Sequence, residues 1–220
     1  MRTTSQWPFL VAAVASLTSA VVARRSLAQE VAPAGNASLV EVRGGTVTFK
    51  VDTNLPAINV HGKSKALAGK VYVRESTNGV LLEKLEASLP VESLDTGLGL
   101  RDEHMRKRVF TTSDGQLPDL KFAADTARCS PAAPAGASTC QLAGNLSLRG
   151  VARPFTIALK VNEDSGKVRA SGDGLVKLST YGIVRPTNLG VQTADDVILH
   201  LEVTAVRPPG RATSEPGGRR

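Results

Sequence analysis

Apolar and polar residues alternate in short runs along most of the chain between residues 39 and 206. This period-two alternation predicts β-strands that bury one face and leave the other in solvent. Turn-forming residues such as Asn78-Gly79 separate the runs, which favours antiparallel neighbours joined by short connections. The clearest runs are residues 46–51, 70–73, 85–92, 120–124, 142–148, 155–161, 168–170, 175–178 and 197–204.

Two segments depart from this alternation. Residues 52–64 contain asparagine, proline and glycine, and we expect them to be irregular. Residues 102–110 have helical spacing, with an inner face of Met105, Val109 and Phe110, acids at the start and bases towards the end. About eight strands with one apolar face and one short helix predict an all-β fold, an antiparallel barrel or sandwich. Eight strands can close into a barrel that holds one small ligand.

The N-terminus has the pattern of a secretory signal peptide. A positive start is followed by residues 7–23, which carry no charge, and then by small residues suited to cleavage after Ala20, Ala23 or Ala28. We prefer Ala28, because a polar stretch follows it. The alternative is an uncleaved anchor, although seventeen apolar residues are at the short limit for spanning a bilayer.

The remaining chain divides into a flexible leader (29–38), a barrel domain (39–206) and a disordered basic tail (207–220). The full chain has 27 basic and 20 acidic residues, a net charge of +7. Cleavage after Ala28 removes three arginines and no acid, which leaves 24 basic residues against 20 acidic ones, or +4. This modest excess favours anionic membrane surfaces as a partner. Nucleic acid is not expected, because no basic patch is interleaved with aromatic residues.

The chain has two cysteines, Cys129 and Cys140. In an exported protein, a single pair most simply forms one disulfide. Their spacing differs from a redox Cys-x-x-Cys pair, so the bond is expected to be structural. Together with the signal peptide, it predicts that the mature protein is exported.

Neither a catalytic constellation nor a metal site is predicted. His104 stands beside Asp102, but adjacent helical side chains point apart, and His61 and His200 have no partner at ligand spacing. No Gly-x-Ser-x-Gly sequence is present for a nucleophilic serine. We therefore expect neither an enzyme nor a resident cofactor. Arg101 and Asp102 are predicted to organise the turn before the helix, with Asp102 as its cap; alternatively, they bind a ligand head group at a barrel mouth.

Four segments, in this order, resemble the YceI-like family of exported, lipocalin-like barrels over about residues 39–206. They are residues 91–96 (VESLDT) with RDEHM at 101–105, residues 117–122 (LPDLKF), residues 144–154 (GNLSLRGVARP) and residues 195–205 (DDVILHLEVTA). The resemblance implies an eight-stranded antiparallel lipocalin-like barrel around a polyisoprenoid or quinone-like lipid. The expected function is to sequester or transport this lipid in the bacterial periplasm or, after secretion, outside the cell. The alternative is a non-catalytic interaction module that docks to a membrane complex.

If the apolar strand faces point inward, they line the lipid cavity. Tyr181 is either the polar handle of that cavity or part of the core. The predicted lining residues are Phe49, Val51, Val71, Val73, Leu85, Ala87, Leu89, Phe122, Leu146, Leu148, Ile157, Leu159, Tyr181, Leu199 and Leu201.

Overall fold

The alternating segments form antiparallel strands. The computed structural model describes residues 37–76, 79–132, 137–164 and 167–206, so the predicted signal peptide, most of the leader and the tail lie outside the described residues. The strands are β1 (Ser38–Thr53), β2 (Val60–Ser64), β3 (Ala68–Ser76), β4 (Gly79–Leu89), β5 (Leu120–Ala124), β6 (Ala127–Ala132), β7 (Ala137–Leu148), β8 (Val151–Asp164), β9 (Lys167–Lys177), β10 (Thr187–Asn188) and β11 (Val191–Val206).

The sheet closes on itself. β1 pairs with β11 on one side and with β3 on the other, and the circuit runs β1-β3-β4-β5-β7-β8-β9-β11 and back to β1. β6 shares the position of β5, because both short strands pair with β4 and β7. The result is a closed eight-stranded antiparallel barrel with a single short α-helix in the described residues. The predicted fold class is confirmed.

The expectation that residues 52–64 are irregular is confirmed for residues 54–59 and wrong for the two ends of the segment. β1 continues to Thr53, and after a short 3₁₀ turn β2 pairs with residues 47–51 of β1. The alternation of β2 is hidden because Gly62 occupies one of its inward positions. A Cβ at Gly62 would clash with the ring of Phe49, so the Phe49 ring fills the space that a side chain would need.

The helix packs across one end of the barrel. α1 (Gly99–Met105) begins three residues before the predicted start and continues as one π-helical turn to Phe110. Val109 and Phe110 are buried, and Met105 packs against the same apolar cluster, which confirms the predicted inner face. That cluster also contains Val91 and Leu178 from the two 3₁₀ turns Val91–Ser93 and Leu178–Tyr181.

The predicted disulfide between Cys129 and Cys140 is present. The two residues face each other across β6 and β7, and both are buried. In the part of the chain that the structure describes, no helix is both long enough and apolar enough to span a bilayer.

Candidate ligand-binding cavity

The barrel encloses a cavity of about 810 Å³, lined almost entirely by apolar side chains. The cavity follows from strand geometry, because alternate residues point inward and the inward positions are aliphatic or phenylalanine. Its volume is within the range of about 300–1,000 Å³ that is usual for small-molecule sites. The interior is therefore not filled by the protein's own side chains.

All eight strands of the barrel contribute residues to the wall of this cavity. Thirteen of the fifteen residues that the sequence assigned to the lining lie on it. They are Phe49, Val51, Val71, Leu85, Ala87, Leu89, Phe122, Leu146, Leu148, Ile157, Leu159, Leu199 and Leu201.

Val73 and Tyr181 do not line the cavity, and their assignment to the lining is corrected. Val73 packs with Val40 and Ala205, at the end of the barrel away from α1. Tyr181 ends the 3₁₀ turn Leu178–Tyr181 and is 5% exposed within the cluster beneath the helix. Burial raises the pKa of the Tyr181 hydroxyl. Tyr181 is thus a core residue rather than a polar handle for a ligand.

Close packing fills the end of the barrel that holds the disulfide. Cys129 and Cys140 pack with Leu142, Ile157 and Leu159 there. The nearby cluster around Val73 fills the adjoining strand ends. The exposed large hydrophobic residues that line the cavity all lie at the other end, which indicates that the cavity opens there. They are Ile58, Leu98, Leu100 and Leu189.

The mouth of the cavity lies between three segments at the helix end, because their lining residues are exposed. These are the 3₁₀ turn Pro56–Ile58, the start of α1 and the β10–β11 hairpin. Hydrogen bonds connect the segments. Asn54 Nδ2 donates to the Gly190 carbonyl (3.0 Å), and Arg108 Nη1 donates to the Thr187 carbonyl (2.9 Å).

The two head-group candidates lie in different surroundings. Arg101 lines the mouth, and its Nε and Nη2 donate to Oγ1 and the carbonyl of Thr96 (2.9 and 2.8 Å). Asp102 is 6% exposed and does not line the cavity. Its Oδ1 accepts hydrogen bonds from N and Oγ1 of Thr96 (2.9 and 2.5 Å). Asp102 is not the helix cap, because Leu98 holds that position. It is also not placed to touch a ligand in the cavity.

The sequence analysis did not predict the polar face formed by α1 with its π-helical turn, nor the apolar residues of the mouth. His104 and Arg108 line the mouth with Arg101, at spacings of three and four residues that place all three on one helical face. Leu98, Leu100 and Leu189 also line it. The i, i+3, i+7 spacing of the basic residues was available as a signal, whereas the three leucines, one in α1 and two outside regular strands and helices, share no periodicity that could mark them.

A second group of polar residues lies on the outer wall. Nδ1 of His200 lies 2.7 Å from Oδ1 of Asp173 on the neighbouring strand β9. The hydrogen bond with Asp173, and then that with Glu202, raises the pKa of His200. Within the described ranges, no three His, Cys, Asp or Glu side chains come together as a metal site.

The barrel with its apolar cavity can be compared with known proteins. A model of the YceI-like domain family matches residues 40–205 of the chain. The chain belongs to the YceI-like family. UPF0312 proteins of Pseudomonas paraeruginosa and Yersinia enterocolitica are each 30% identical to it over 131 residues, 57% of this chain and 63% of each relative. The match thus spans less than two thirds of the length of these relatives.

Solved structures of YceI-like and related proteins share the fold. BcnA of Burkholderia cenocepacia superposes with a TM-score of 0.57 at 16% identity, over 74% of this chain and 96% of BcnA. A polyisoprenoid-binding domain from Saccharophagus degradans superposes with a TM-score of 0.56 at 14% identity, over 77% of this chain and 98% of that domain. The YceI protein of Campylobacter jejuni superposes with a TM-score of 0.53 at 20% identity, over 71% of this chain and 90% of that protein.

Proposed function

We propose that this protein binds a long, apolar, isoprenoid-like lipid inside the barrel and sequesters or transports it outside the cytoplasm. The observation that carries the proposal is the apolar cavity of about 810 Å³ with a mouth at the helix end. The Saccharophagus domain of the same fold, described as polyisoprenoid-binding, supports an isoprenoid as the ligand class. An interaction module would need no such cavity, so ligand binding is the better account.

The size of the cavity suits an isoprenoid tail. At about 30 Å³ for each water-sized group, the cavity holds roughly 25 carbon atoms, or about five isoprene units. Burial of about 0.8 kcal/mol per methylene gives roughly 20 kcal/mol relative to water. This exceeds the costs of association, about 4–15 kcal/mol. Apolar contact is therefore sufficient for binding, and no reaction is part of the proposal.

We place the head group of the ligand at the mouth. The opposite end of the barrel is packed with apolar side chains, whereas Arg101, His104 and Arg108 face the opening. Two of these side chains are cationic at neutral pH, so an anionic or strongly hydrogen-bonding head group suits the site. Of the two head-group candidates, Arg101 is retained and Asp102 is not.

Export is the second part of the proposal. Residues 1–28 have the pattern of a signal peptide, with Ala20, Ala23 or Ala28 as the cleavage site. The buried Cys129–Cys140 disulfide supports the same compartment, because such bonds persist in the periplasm and outside the cell. Intact-mass measurement of the protein purified from the periplasm of a Gram-negative host would identify the mature N-terminus.

Blocking the cavity tests the binding proposal. Ala87 lines the cavity from β4, whereas Ala158 on β8 is exposed on the outer wall. The measurement is the retention of radiolabelled geranylgeraniol by the folded protein on gel filtration. We expect wild type and Ala158→Trp to retain the lipid, and Ala87→Trp to retain at least about tenfold less. No retention by wild type, or equal retention by all three proteins, would contradict the proposal.

A further inference from the structure

Exposed apolar side chains are concentrated around the mouth. Nine large hydrophobic side chains are exposed within the described residues. Four of them line the mouth, and two more, Leu55 and Val184, adjoin the mouth segments in sequence. These six form what we call the rim: Leu55, Ile58, Leu98, Leu100, Val184 and Leu189. Exposed apolar groups that cluster around an opening indicate an interaction site, whereas scattered ones need no explanation.

Leu189 is the most exposed member of the rim. It is 95% exposed at the tip of the β10–β11 hairpin, where it has φ of 48° and is followed by Gly190 at φ of 80°. Two consecutive positive φ values are typical of a two-residue hairpin turn that favours asparagine, aspartate or glycine. A leucine there is exposed to water and strained at once, so neither packing nor turn geometry accounts for it.

The rim is also basic. The segments 54–59, 97–108 and 184–190 carry five cations, Arg101, Arg106, Lys107, Arg108 and Arg185, against two carboxylates. Both carboxylates have partners, because Glu103 pairs with Lys107 at 2.6 Å and Asp102 accepts hydrogen bonds from Thr96. An apolar tip surrounded by cations is complementary to a bilayer that contains anionic lipid.

We propose that the rim docks the barrel onto an anionic lipid bilayer, with the mouth of the cavity against the membrane. The rim surrounds the opening of an apolar cavity, so a lipid tail can pass between bilayer and barrel without crossing water. A protein partner is the alternative occupant, and the vesicle test distinguishes it from a bilayer. The reason for docking rests on the proposed function, whereas docking itself does not require a bound ligand.

The test is sedimentation with vesicles that contain no isoprenoid, made of phosphatidylcholine alone or with phosphatidylglycerol. Wild type and variants are all purified after export and processing by a Gram-negative host, so they share the same N-terminus and the same tail. The rim variant is Leu100→Gln with Leu189→Asn, in which asparagine suits the positive φ and keeps the hairpin folded. The wall variant is Leu175→Gln with Ile198→Gln, which removes two exposed apolar groups from the outer barrel wall.

We expect wild type and the wall variant to bind anionic vesicles, more weakly as salt rises, and the rim variant to bind at least about tenfold less. Val184→Glu, outside the cavity lining, should reduce binding in the same direction. If wild type does not bind the vesicles, the proposal is overturned; this is the result expected if the rim instead contacts a protein. An equal loss of vesicle binding in the wall variant and the rim variant would also overturn it. A protein that retains no geranylgeraniol on gel filtration but still binds vesicles would remove the ligand proposal and leave docking intact.

Discussion

Replacement of Asp102 tests how the mouth is held in place. Oδ1 of this buried carboxylate accepts two hydrogen bonds from Thr96, and the Thr96 hydroxyl in turn accepts one from Arg101. Asp102→Ala leaves the amide and hydroxyl of Thr96 without their acceptor. Hydrogen bonds to charged groups contribute about 1.5–3 kcal/mol each, and because the two share one oxygen, we expect a loss of about 3–4 kcal/mol in the free energy of unfolding.

Asp102→Asn is the matched control, since both hydrogen bonds end on the same oxygen. Asparagine keeps a carbonyl oxygen at that position, while it loses the charge and carries an NH2 group in place of Oδ2, so we expect a loss of about 1 kcal/mol. Urea unfolding at neutral pH measures both free energies. The reasoning is refuted if Asp102→Asn costs as much as Asp102→Ala. If instead the asparagine variant is stable but no longer retains lipid, Asp102 has the head-group role that the structure does not give it.

Three further predictions concern the closed end and the outer wall. Leu142→Ala should lower the free energy of unfolding by about 2–3 kcal/mol, as measured by chemical unfolding. This is at the low end for a buried leucine, because one side of Leu142 already faces the cavity. As the control, replacement of the exposed Leu175 by alanine should change the free energy of unfolding little. Replacing Cys129 and Cys140 by serine should cost about 3 kcal/mol, and an unchanged unfolding midpoint would contradict this. The raised pKa of His200 means that its stabilising contribution is complete below about pH 6.5 and is lost as pH rises through the folded pKa. NMR titration should show the pKa of His200 falling in Asp173→Asn, and an unchanged value would exclude the ion pair.

Alternation was sufficient to predict the barrel because most inward positions carry aliphatic side chains. In β11, Val197, Leu199 and Leu201 face the cavity as the pattern indicates. The pattern failed at β2, where Gly62 stands at an inward position because the Phe49 ring fills its space. A residue that is small because of its neighbour's size cannot be recognised without the neighbour.

The candidate site was predicted less completely than the fold. Alternation identifies which face of a strand is buried but not how far along the barrel the cavity extends, so Val73 was assigned to the wall although it packs at the closed end. The mouth is built by a 3₁₀ turn, a helix start and a hairpin that are distant in sequence. Leu98 and Leu189 meet there only through tertiary structure, and no local periodicity marks them.

The central claim is that the cavity holds an isoprenoid-like lipid, and the contents of the barrel test it most directly. The protein is purified from the periplasm of a bacterial host, its mass is measured under native conditions, and an organic extract is analysed by mass spectrometry. The account predicts one polyprenyl compound per barrel in wild type and Ala158→Trp, and its loss in Ala87→Trp. An empty wild-type protein that also ignores added isoprenoids would contradict the account.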